Sequence, residues 1–250
     1  MTAPARSQLP ASDFSTLDAN KVADTIEVLA RRVRERFPDA SLVDVCQRLW
    51  DVARRVRETT EWIRAPISSI RVITGMLIIV LVVGIISVVF GLKMPSKSLD
   101  LLEFVQAVES GINDLVLVGA GIFFLVSLET RIKRRRALDA INELRSLLHI
   151  IDMHQLTKDP HHVHRGGMDT ASSPRRLSDA VLLRRYLEYC IEMQSLTAKL
   201  AALYAQHFDD AVVLAAVNEI ETLAASMSAR IGQKIILLQR RQPAAEASAT

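Results

Sequence analysis

The sequence is short of residues that break helices. Nine glycines and eight prolines among 250 residues are too few for a sheet of many short strands, and abundant Ala, Leu, Arg and Glu favour helix throughout. Cysteine is scarcer still. Cys46 and Cys190 alone build neither a disulfide framework nor a paired-cysteine zinc site, and both fall in expected helices on the reducing side, where neither is expected to be bonded. No glycine-rich phosphate loop, nucleophile elbow or His-Glu-x-x-His helix occurs, which argues against an enzyme. The formal net charge of +3 is too small to imply a nucleic-acid partner. The first twenty residues lack a basic start followed by an apolar core, so no cleavable signal peptide is expected and insertion falls to internal helices.

What is present is apolar and locally concentrated. Half the residues are hydrophobic although 24% are charged, and the mean hydropathy is +0.20. From Val72 to Leu92 there is no charge, a helical rise of about 30 Å, which matches a bilayer core. The second charge-free run, Leu115 to Leu128, is bounded by Asp114 and Glu129. Extended to residues 112–132, with the carboxylates at the interfaces and Arg131 snorkelling, it is long enough to span.

Arg54, Arg55, Arg57, Arg64 and Arg71 precede the first span and Arg131, Lys133, Arg134, Arg135 and Arg136 follow the second, whereas the connector holds only Lys93 and Lys97. Basic residues resist translocation, so both flanks and both termini are expected in the cytoplasm of a multi-pass cell-membrane protein. The fold class expected is an all-α membrane protein: a two-helix transmembrane hairpin with a cytoplasmic helical bundle and a long C-terminal helical hairpin.

The chain divides accordingly. Residues 1–14 are expected to be disordered, 15–66 to form a cytoplasmic helical pair and 67–92 the first span. Residues 93–111 form a short external connector, with apolar positions spaced for an interfacial helix, and 112–132 the second span. Residues 133–164 hold a cytoplasmic helix and a His-rich connector. Residues 165–177, with Gly166, Gly167 and Pro174, are a linker, 178–241 a cytoplasmic helical hairpin, and 242–250 a disordered tail. Ser15 with Asp18 marks the first helix start and Pro38 its end.

Helical spacing sets the expected core. The stripes are Val22, Ile26, Leu29, Val33 and Phe37; Leu42, Val45, Leu49, Val52, Val56 and Ile63; and Leu138, Ile141, Leu144, Leu148 and Ile151. The last hairpin contributes Leu183, Tyr186, Cys190, Met193, Leu196, Leu200 and Leu203 against Val213, Val217, Ile220, Met227, Ile231 and Leu238, breaking near His207, Phe208 and Asp209. One hairpin cannot bury both faces alone, so it is expected to pack on the earlier helices or on another subunit, and the near-heptad spacing suits the second.

Three clusters are candidate sites. His149, Asp152, His154, His161, His162 and His164, with five of the six histidines, suit a divalent metal, although an exposed connector explains them without one. Asn113 and Asp114 at the outer mouth of the second span would form a carboxylate ring in an oligomer, a cation-selecting device. Arg131, Lys133, Arg134, Arg135 and Arg136 suit anionic lipid headgroups.

The two-span topology resembles effectors that perforate membranes in bacterial defence, a resemblance of architecture that brings no motif with it. The function expected is an integral membrane scaffold or signalling protein that self-associates through cytoplasmic helices and recruits a soluble cytoplasmic partner. The alternatives are a small oligomeric channel or membrane-disrupting effector, and a membrane-tethered metal-dependent enzyme centred on Asp152, His154 and Asp159.

Overall fold

A computed structural model describes residues 16–93, 101–158, 177, 179–206 and 208–246. The described chain is all helical: α1 (Ala19–Arg36), α2 (Leu42–Arg64), α3 (Ser68–Lys93), α4 (Leu101–Leu156), α5 (Ala180–Gln206) and α6 (Ala211–Glu246). It forms two compact units, Met1–Trp62 with Ala137–Thr250, and Ile63–Arg136.

Side chains cap the helices of the first unit where the backbone amides run out of partners. Asp18 accepts the Asn20 N–H at 2.8 Å and starts α1; Ser15 lies outside the described residues. Asp179 takes the Val181 N–H at 2.7 Å at the start of α5, and Asp210 takes those of Val212 and Val213 at 3.0 and 3.2 Å at the start of α6. Each carboxylate also meets the positive end of its helix. At the far end of α1 the Phe37 N–H returns to the Val33 carbonyl at 2.8 Å, and Pro38 prevents continuation.

The apolar stripes of this unit are buried as their spacing implies. Ile26, Leu29 and Val33 of α1, Leu42, Leu49 and Val56 of α2, and Ile141, Leu144, Leu148 and Ile151 of α4 are fully covered. Leu138 is only half-buried, and its neighbour Ala137 takes the core position. α5 packs along both α1 and α6 and is covered on nearly every side, so Leu187, Tyr189, Gln194, Thr197, Ala201 and Tyr204 join the expected stripe.

Polar ties fix the directions. Gln206 at the end of α5 exchanges two hydrogen bonds with the Leu17 backbone, and Arg32 pairs with Glu192 at 2.9 Å, so α1 and α5 are antiparallel. Phe37 meets Tyr186 and Tyr189 edge-on at 5.5 and 6.2 Å. Arg48 and Arg55 both reach Glu143, joining α2 to α4. Arg145 pairs with Glu219, Arg230 approaches Asp152 at 3.6 Å, and Lys234 donates to the Gln155 carbonyl at 3.1 Å. These contacts run α4 and α6 parallel.

The second unit inverts the pattern. Val72, Met76, Ile79, Val80 and Val83 on α3 are exposed, as are Val116, Leu117, Phe123, Phe124 and Val126 on α4. The facing surfaces are marked by the partly covered Thr74, Leu77 and Leu81 of α3 and Gly111, Val118, Gly121, Ile122 and Leu125 of α4. Approach is closest at Gly121, where an added Cβ would stand 3.4 Å from Leu77 Cδ2.

Among the described residues three stretches are long and apolar enough to cross a membrane by length and composition: Leu42–Ser87, Val108–Leu156 and Ala211–Gln239. The third was not anticipated from the sequence. Its helix, α6, carries Glu219, Glu221, Arg230 and Lys234 and buries Val213, Val217, Ile220, Met227 and Ile231, an amphipathic arrangement rather than an apolar surface all round.

Candidate functional site

One group of polar side chains of the second unit gathers at the end of the α3–α4 pair where α3 begins. Ile67 precedes α3, and its N–H belongs to the set that a helix leaves without an internal partner. Glu129 of α4 accepts it at 3.3 Å and also accepts Lys133 Nζ at 2.9 Å, one turn further along its own helix. Both side chains of the ion pair are largely covered. The elbow at Ala65 and Pro66 is thereby fastened to α4.

Of the five basic residues read as lipid contacts, Lys133 is thus buried and engaged by Glu129, which spacing alone did not reveal. Arg131 and Arg134 border a groove of about 310 Å³ on α4 with Phe123, Val126, Ser127 and Thr130. Its lining grades from apolar to basic along the helix. Arg135 and Arg136 are exposed on the next turn.

Two hydroxyls of α3 turn back onto their own backbone. Thr74 donates to the Ile70 carbonyl and Ser87 to the Val83 carbonyl, each at 2.8 Å. A hydroxyl bonded in this way needs no water. Asn113 and Asp114 differ: both are exposed and neither makes a hydrogen bond or ion pair among the described residues.

The histidine cluster is only partly placed, since His161, His162 and His164 lie outside the described residues. His149 is exposed. His154 Nδ1 stands 2.9 Å from the Ile150 carbonyl, a donor in the Nδ1–H tautomer. Asp152 accepts the Gln155 side-chain amide at 2.9 Å and faces Arg230. Among the described residues no three His, Cys, Asp or Glu side chains converge as metal ligands.

A buried polar seam crosses the first unit that hydrophobic periodicity does not detect. Lys234 donates to both oxygens of Gln155, and Ser228 donates to Gln194 Oε1 at 2.9 Å. The Gln194 amide nitrogen is buried without a hydrogen-bond partner among the described residues. Cys46 and Cys190 are free and buried. Burial pushes each thiol up to about 12, which keeps both protonated and poor nucleophiles. Burial likewise raises the Tyr186 hydroxyl and lowers the ammonium of Lys158, which stands 5.3 Å over the Tyr186 ring.

Comparison with protein-family models, with curated proteins and with solved structures finds no match for this chain.

Proposed function

We propose that this chain is an integral membrane protein in which α3 and the facing part of α4 cross the bilayer as a hairpin. The helical unit and both termini then lie in the cytoplasm, and the assembled chain serves as a self-associating scaffold or signalling platform. The observation that carries the reading is the uncovered apolar surface of α3. Val72, Met76, Ile79, Val80 and Val83 point to several sides of one helix and are all exposed. In water such a surface is an aggregation site, whereas in lipid it is already satisfied. Of the three candidate stretches we assign two to the bilayer and leave α6 with the helical unit, because its apolar stripe is already buried there.

Arg131, Arg134, Arg135 and Arg136 would meet anionic headgroups, with the graded groove beside Phe123 and Thr130 suited to a lipid at the hydrocarbon boundary. Self-association is supported by an apolar row left outside the first unit. Ile150, Met153 and Leu156 recur every three residues on α4 and are exposed, and Ile236 and Leu237 of α6 are exposed too. A second copy covering this row is the reading, and a soluble partner docked there is the competing one. No catalytic role is proposed, and no metal, since Asp152 and His154 are engaged by Gln155, Arg230 and the Ile150 carbonyl.

The test is the mass of the complex released gently from native membranes, by native mass spectrometry. More than one copy, reduced by Met153→Asp, is expected. A single copy in both proteins would remove self-association. A channel remains the second reading, favoured by the exposed Asn113 and Asp114, which make no hydrogen bond or ion pair among the described residues.

A further inference from the structure

The contacts within the α3–α4 pair set a depth scale that the sequence does not contain. Ile67 meets Glu129 and Leu77 meets Gly121, so each step along α3 is matched by about one step back along α4. At that pace Asp114 stands opposite Val83 and Gly84. Val83 is 11 residues from Val72 and 9 from Leu92, roughly 16 and 13 Å from the two ends of the charge-free run. Asp114 is therefore near the middle of the hydrocarbon layer and not at its outer mouth.

Asp114 is also not alone. Gln106, Glu109, Ser110, Asn113 and Asp114 recur at spacings of three, one, three and one, which places them along one stripe of α4. All five are exposed, and α4 is helical without a break from Leu101. The same register sets the stripe beside α3 residues 83–91, the outer half of the span. Within this band α3 and α4 hold two carboxylates and no Lys or Arg.

Hydrocarbon tolerates such a stripe only when it faces protein or water. We propose that copies of this chain associate with their Gln106–Asp114 stripes turned toward one another around a water-filled path. That path enters from the outer side and reaches mid-depth, where Glu109 and Asp114 concentrate cations. The inference rests on the reading of α3 and α4 as spans.

The test uses the full chain in native membranes, with Asn113→Cys in the stripe and Val80→Cys on the exposed side of α3. The native thiols stay in place, because buried and protonated they give little background. Membrane-impermeant methanethiosulfonate reagents are applied before and after detergent. The proposal expects Asn113→Cys to react in intact membranes and Val80→Cys only after detergent. Oxidation should cross-link Asn113→Cys between copies and not Val80→Cys. A cationic reagent should outpace an anionic one at Asn113→Cys by about tenfold or more, and adding Asp114→Asn should shrink that preference. If neither variant reacts before detergent, the spans stand and the water-filled stripe is overturned. If both react, the span reading itself fails. Absent cross-linking removes the contact between copies, and equal rates for the two reagents remove the cation preference.

Discussion

In the five-helix unit an apolar side chain is normally covered by another helix, while in the α3–α4 pair it is normally uncovered. Leu144 and Ile141 are fully buried, whereas Val80 remains 62% exposed. The two units use the same residue types, and what differs is where the apolar residues fall. On α1 and α2 they recur at three and four and leave a charged face to water. On α3 no charge interrupts the 21 residues from Val72 to Leu92, and no such face is left. A stripe calls for another helix, and a full cylinder calls for lipid.

The largest effects should separate the units by what a truncation removes. Leu144→Ala is expected to destabilise the helical unit by about 2–5 kcal/mol, since it opens a cavity among fully covered neighbours. Val80→Ala should change that unfolding free energy by less than about 0.5 kcal/mol. Equal losses in a thermal melt in lipid nanodiscs would mean that both units are packed alike.

A charge reverses the ranking. Val80→Arg is expected to oppose insertion by about 2.5–3.5 kcal/mol, read as the fraction of chain recovered in the membrane. Leu214→Arg, on the exposed face of α6, should leave that fraction unchanged. An insertion defect from Leu214→Arg would make α6 a span.

Next in size is the fastening of Ile67 to Glu129 at the end of the pair where α3 begins. Glu129→Ala removes the acceptor of the Ile67 N–H and strands Lys133, a loss of about 1–3 kcal/mol. Glu129→Gln keeps an acceptor for the amide and should recover part of it. If the two variants melt together, the Ile67 contact contributes nothing.

Alkali should act on the helical unit. The Cys46 and Cys190 thiols rise from 9.0 to about 12 by burial, and the Tyr186 hydroxyl rises as well. Groups with raised values contribute stability that is complete below their unfolded values and is lost as pH climbs toward the folded ones. Melting temperature is therefore expected to fall between pH 9 and 12, and Cys46→Ala should blunt the fall. The smallest effect is expected for Arg145→Ala, which breaks a largely exposed pair with Glu219 and should cost under about 1 kcal/mol.

Much of the helical unit was legible because its helices keep a strict stripe. The expected rows of α1, α2, α5 and α6 are buried residue by residue. Periodicity weighs hydrophobicity and not size, so it favoured Leu138 over Ala137, whose small side chain fills the core position. It also passed over Gln194 and Thr197, polar residues enclosed because α5 is covered on nearly all sides. The candidate sites were less legible. Spacing showed Asn113 and Asp114 but not their register against α3, because that register depends on Gly121 against Leu77 and Glu129 against Ile67, two contacts between separate helices. Lys133 looked like its arginine neighbours until Glu129, four residues earlier, was seen to hold it.

The contrast between the units can be tested on two exposed side chains, Val80 at 62% and Leu214 at 50% exposure. Spin labels placed at each position of the full chain in lipid bilayers would be compared for collision with oxygen, which concentrates in hydrocarbon, and with a water-soluble nickel chelate. Oxygen should dominate at Val80 and nickel at Leu214. Nickel dominating at Val80 would contradict the membrane hairpin, and oxygen dominating at Leu214 would contradict the assignment of α6 to the helical unit.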